Sequence, residues 1–163
     1  MMISTGAKLA LNATHGSLVF RRRVRILSEH LAAELPANAR VLDVGAGDGS
    51  IAAAIMQKRP DVVVDGIDVK LSPVTRIPVA RYDGVRIPAL DASYDCVMLV
   101  DVLHHTLDPA AVLRDAVRVS RGTILIKDHV LVGFAAGATL RFMDWVGNRG
   151  HDSLAGFAID QTT

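Results

Sequence analysis

The stretch that most constrains the fold is residues 40–50, Arg-Val-Leu-Asp-Val-Gly-Ala-Gly-Asp-Gly-Ser. Val41, Leu42 and Val44 spell a short buried strand, which Gly45, Gly47 and Gly49 end. Ser50 and the run Ile51–Met56 then start a helix. Strand, glycine turn and helix together bring a ligand close to backbone N–H groups at a positive helix end. A Cβ at such a turn would block the approach or forbid a positive φ. The spacing is Gly45-x-Gly47-x-Gly49, with serine at 50 where a dinucleotide fingerprint has its third glycine. An acid, Asp43, stands two residues before the first glycine.

The chain of 163 residues predicts one domain with a real core, since half of it is hydrophobic and 21% is charged. A net charge of +1 argues against a general nucleic-acid surface. The single cysteine, Cys96, excludes an intramolecular disulfide framework and fits a reducing, cytoplasmic compartment. It lies in the apolar run Cys96–Val100 and reads as a buried structural thiol. No basic start followed by an apolar stretch marks a targeting segment. The weakly polar run 130–140 is about half the ~20 residues a membrane span requires, so no membrane partner is expected.

Residues 1–16 read as an irregular N-terminus, and residues 17–148 as the domain. Ser17 is a candidate cap for a helix to Leu35, with Phe20, Val24, Leu27, Leu31 and Leu35 on one stripe. Arg21, Arg22 and Arg25 lie off it, either as a solvated face or as a contact for a phosphate or acidic substrate. The helix after Ser50 ends near Lys58-Arg59. Residues 61–69 form a second strand that delivers Asp68, 19 residues beyond Gly49. A carboxylate there can accept both hydroxyls of a ribose; the alternative is a solvent-facing turn acid. Val79–Tyr82 is a short third strand ending at Asp83-Gly84. Cys96–Val100 is a fourth, apolar throughout as in a strand buried on both faces. It leads to Asp101-Val102-Leu103-His104-His105. Asp108 caps the next helix with Pro109 at its first position, Arg121-Gly122 closes it, and Thr123–Lys127 is a fifth strand. Strands alternating with helices give an α/β class: a Rossmann-like, doubly wound, mostly parallel sheet of about five strands with flanking helices.

Four stretches in this order resemble the class I S-adenosylmethionine-dependent methyltransferases: the glycine motif with Asp43, the strand-end Asp68, the Ile87-Pro88 to Ser93-Tyr94-Asp95 passage, and Val102-Leu103-His104-His105. The resemblance covers roughly residues 16–148. It implies S-adenosylmethionine as cofactor and methyl transfer to a small-molecule acceptor. By it, Gly45 and Gly47 let the backbone approach the methionine end, and Asp43 fixes that loop or the amino group. Asp68 holds the ribose and Asp83 the adenine amino group, the alternative for Asp83 being a plain Asp-Gly turn. Ala46, Val69 and Gly84 complete the expected set. His104 and His105 are the candidates for a general base, with a structural or adenine-facing role equally open, and Asp101 is a weaker third. No metal site is expected, because His104, His105, Asp128, His129, His151 and Asp152 lack zinc-motif spacing.

After the fifth strand the chain offers one helical stretch, Val132–Val146, and a tail over 149–163. It therefore reads as lacking the family's last two strands. That leaves the fifth strand as a sheet edge, which predicts self-association, a covering partner or marginal stability. Two alternatives stand beside the enzyme. One is a non-catalytic fragment that binds S-adenosylmethionine or a partner; the other is a nicotinamide-dependent oxidoreductase, against which the glycine spacing counts.

Overall fold

The computed structural model describes residues 5–128, with side chains from Leu18 onward. The helical stretch expected over 132–146, the tail over 149–163, and His129, His151 and Asp152 lie outside the described residues.

Five strands form one parallel sheet: β1 (Arg40–Val44), β2 (Val63–Asp68), β3 (Val79–Arg81), β4 (Tyr94–Val100) and β5 (Ser120–Lys127). Their order is β3-β2-β1-β4-β5. The chain winds outward from β1 to β3, then returns to β4 on the other side of β1. Such a reversal opens a crevice at the carboxyl ends of the strands, where ligands of open α/β sheets bind. The register places Val44 beside Ile67 of β2 and Leu99 of β4, so these three strands end at nearly the same height.

The strand sequences are apolar on both faces, and alternation sorts them into two cores. Val41, Cys96 and Met98 pack with Leu31 of α1 (Thr5–Glu34), with Leu35 just beyond it, and with Ala52 and Ile55 of α2 (Ser50–Lys58). Leu42, Val44, Val97 and Leu99 pack with Val112, Ala116 and Val119 of α3 (Pro109–Val119). Cys96 is buried and unpaired, and burial pushes its thiol up to about 11, as a structural role requires. Asp108 caps α3 as expected, accepting the Ala111 N–H at 2.9 Å.

Several boundaries differ from the sequence reading: β3 ends at Arg81, one residue short of Tyr82, and β4 begins at Tyr94, two residues before Cys96. Helix α1 begins at Thr5, so residues 5–16 are helical and Ser17 lies within the helix instead of capping it. This segment is rich in alanine and leucine and has no proline; two glycines cost about 1 kcal/mol each and are carried by their neighbours. Strand β2 starts at Val63, because Pro60 to Val62 are spent on the turn. Strand β5 starts at Ser120, directly after α3. Arg121-Gly122, expected to close the helix, instead sits where the β4–β5 register shifts, and Arg121 bonds the Ala92 carbonyl and Asp95.

The C-terminus of α1 is anchored from a distance. Arg59 donates to the carbonyls of Ala32 (2.8 Å), Leu35 (3.1 Å) and Pro36 (3.0 Å), and grips Asp61 with two further bonds. A helix end leaves such carbonyls without intrahelical partners. No described helix is long and apolar enough to cross a membrane. Among the described strands β5 is an outer one, with Ile126 half exposed.

Candidate functional site

The site is built from four strand ends. Beyond Val44 the backbone turns through Gly45 at φ 77°, and the N–H groups of Gly45 and Ala46 both donate to the Ile67 carbonyl, at 2.8 and 3.1 Å. The loop is thus strapped to the end of β2. A Cβ on Gly45 would fall 2.4 Å from Cγ2 of Val102, and one on Gly66 would fall 2.8 Å from Cβ of Ala46. Close approach, as much as the positive φ, is why glycine stands at 45.

Asp68 ties the loop from its other side. Its Oδ2 accepts the Gly47 N–H at 2.8 Å and its Oδ1 accepts the Lys70 N–H at 2.9 Å. A carboxylate oxygen accepts two hydrogen bonds, so the group holds the loop and keeps capacity for two hydroxyl donors. Asp83 forms the turn that was one of its two expected roles. Its Oδ1 accepts the N–H groups of Val85 (2.8 Å) and Arg86 (2.9 Å), bonds that hold the carboxyl below its ordinary pKa. It also faces the cleft. Gly84, at φ 80°, lies against Val69, where a Cβ would meet Cγ1 at 3.0 Å.

A cleft of about 490 Å³ opens here, a size suited to a small-molecule ligand. Gly45, Asp68, Val69, Asp83 and Gly84 of the expected set line it. Asp43, Ala46 and Gly47 do not. Gly47 acts through its N–H on Asp68, and Ala46 packs over Gly66. Asp43 is only 3% exposed, and burial, with the nearby charge of Asp68, raises its pKa to about 7. It lies within β1, in register with Gly66 of β2 and Met98 of β4.

The histidines lie on a single 3-10 turn, Leu103–His105. His104 Nδ1 is 2.5 Å from Asp128 Oδ1, and Asp128 Oδ2 accepts the Leu103 N–H at 2.7 Å. The His105 ring lies against that of His104, centroids 3.8 Å apart. Asp101, at φ 56°, bonds Lys127 through Oδ1 and Arg23 through Oδ2. A second cleft of about 480 Å³ is lined by Arg23, Ile26, Leu27, His104 and Lys127, and shares Asp101 and His105 with the first. Arg21 and Arg25 face neither cleft; they line a separate groove between α1 and α2 with Lys58 and Arg76.

A family model described as a methyltransferase domain matches residues 17–151. The chain belongs to the class I S-adenosylmethionine-dependent methyltransferase family. This membership sets aside the nicotinamide-dependent alternative. The chain is 35% identical over 128 residues to a 27-O-demethylrifamycin SV methyltransferase of Amycolatopsis mediterranei, covering 68% of this chain and 47% of that protein. It is 30% identical over 123 residues to a demethylmenaquinone methyltransferase of Roseiflexus castenholzii, covering 68% and 50%. The chain therefore spans about half the length of these relatives. Among solved structures, the YcgJ protein of Bacillus subtilis superposes with a TM-score of 0.60 at 23% identity, over 74% of this chain and 58% of that one; it is a likeness of fold.

Three residues around the two clefts were not singled out from the sequence. Gly66 carried a signal, since an isolated glycine inside a strand marks close backbone approach. Tyr82 carried none, being an ordinary aromatic residue that lines the cleft. Arg23 was hidden among four arginines; only the packing of α1 selects it to reach Asp101.

Proposed function

We propose that this chain binds S-adenosylmethionine in the 490 Å³ cleft and catalyses methyl transfer to a small-molecule acceptor in the neighbouring one. The observation that carries the reading is Asp68, which is bonded to Gly47 of the glycine loop and lines a cleft whose floor a Cβ on Gly45 would fill. Asp68 takes the ribose hydroxyls, Asp83 the adenine amino group, and the backbone at Gly45 the methionine end. Val69 and Val102 supply apolar wall on either side.

When bound, S-adenosylmethionine supplies a methyl group on a sulfonium, which is already a good leaving group. The protein's share is therefore positioning and electrostatic setting. Where the acceptor must lose a proton, His104 takes it. Asp128 at Nδ1 orients the ring, and from there the proton passes to water. His105 packs the ring in place. The relative from Amycolatopsis mediterranei is named for an O-demethylated substrate, which is in keeping with a hydroxyl acceptor. The cytoplasm is the compartment we infer from the single, buried Cys96.

Calorimetric titration with S-adenosylhomocysteine tests the cofactor reading. Asp68→Ala is expected to weaken binding by roughly two orders of magnitude, the worth of two charge-assisted hydrogen bonds. Equal affinity in the variant, or no binding by the folded wild-type chain, would reject it.

A further inference from the structure

We propose that the second cleft selects an acceptor whose reacting group is an ionisable hydroxyl, a phenol or an enol, and binds it as the oxyanion. The inference rests on the methyl-transfer reading above and adds to it the chemical class of the acceptor.

The charges on the cleft wall carry the argument. Arg23 and Lys127 are both cations, and Asp101 is the one carboxylate lining the cleft among the described residues. Its two oxygens are divided between them, Oδ1 to Lys127 and Oδ2 to Arg23. Among the described lining residues one negative charge thus faces two positive ones. Arg23 and Lys127 keep 44% and 35% of their side chains exposed, so neither is consumed by the contact. Asp128 does not line the cleft, and its oxygens engage the Leu103 N–H and His104. An ammonium acceptor would meet two cations beside a carboxylate they already neutralise. An oxyanion would meet their surplus charge.

The remaining walls agree. Ile26 and Leu27 offer an apolar face to a ring, and the imidazoles of His104 and His105 line the same cleft. Asp101 and His105 border both clefts, which sets the ionised oxygen beside the cofactor cleft. On binding, the acceptor's O–H bond breaks, the electron pair stays on oxygen, and the proton leaves through His104 to the solvent. Asp101 is held at φ 56°, a region that aspartate and asparagine tolerate better than most side chains, so its charge can be removed without disturbing the backbone.

The probe is 4-nitrophenol, whose phenolate absorbs in the visible. It is titrated into the full chain saturated with S-adenosylhomocysteine, and the ionisation midpoint of the bound probe is read from that band. In the wild type the midpoint is expected to fall by about one unit, a tenfold preference for the phenolate. Lys127→Met returns it to the solution value. Asp101→Asn moves it further down, whereas a merely structural role for Asp101 would move both variants the same way. An unshifted or raised midpoint, no saturable binding, or shifts of one sign in the two variants would overturn the proposal; if Lys127→Met fails to fold, Arg23→Gln replaces it with the same expected shift. Binding of S-adenosylhomocysteine, measured separately in each protein, keeps failure of the cofactor reading distinct: without it the methyl-transfer reading falls first.

Discussion

Asp43→Asn should make the protein's stability insensitive to pH where the wild type is not. Asp43 is buried between β2 and β4, paired in register with Gly66 and Met98, and burial raises its pKa from 3.8 to about 7, with Asp68 adding to the shift. A folded state that binds a proton more tightly than the unfolded chain loses stability as pH rises between the two pKa values, and levels off above the folded one. Integrated from about pH 5 to about pH 8, a shift of this size costs the wild type about 3 kcal/mol. For a chain of this length that is ~6–12 °C in Tm. Asparagine fills the same space without a charge. Its amide still has to be buried, at a cost of about 1–3 kcal/mol that does not depend on pH. The decisive quantity is therefore the difference in Tm between wild type and Asp43→Asn, followed by scanning calorimetry across this range. It should move in favour of the variant by about 3 kcal/mol as pH rises. Asp68→Asn should shrink the wild-type slope, since it removes the second cause of the shift. A Tm difference that is flat with pH would refute the reasoning, because Asp43 would then ionise in the fold as it does in the unfolded chain.

Gly45→Ala places a Cβ against Val102 at a left-handed φ, which alone costs about 1–2 kcal/mol; affinity for S-adenosylhomocysteine is expected to drop at least tenfold, and adding Val102→Ala to recover only the part due to overlap, as a double-mutant cycle by calorimetry would show. His104→Gln should lower kcat with an accepted phenol by roughly 100-fold while KM stays nearly constant; Asp128→Asn should act in the same direction and more weakly, and an unchanged kcat in both would remove the base. Arg59→Met should lower the Tm by several degrees, since three carbonyls at the end of α1 lose their donor, and leave S-adenosylhomocysteine affinity as it was.

The sheet was legible because its signals are local. Val41-Leu42 and Cys96–Val100 can be little other than buried strands, and the glycines of 45–49 can hardly continue one. Asp68, Asp83 and Gly45 were legible for a related reason: each stands at a strand end, and in a parallel sheet the strand ends converge. The beginning of α1 was not legible, since alanine, leucine and glycine over residues 5–16 set no sharp boundary and packing chose one.

Relations between distant residues belong to the tertiary structure alone. The sequence by itself determined the fold class, the glycine turn after β1, and the acids at the neighbouring strand ends, because strand period, glycine conformation and cap chemistry all act within a few residues. Only the folded chain decided that Asp43 is buried near Asp68, that Asp128 stands on His104, and that Arg23 and Lys127 meet on Asp101. Those contacts join residues 24 to 78 positions apart, and whether a charge is buried, paired or in surplus depends on what the fold brings to its side.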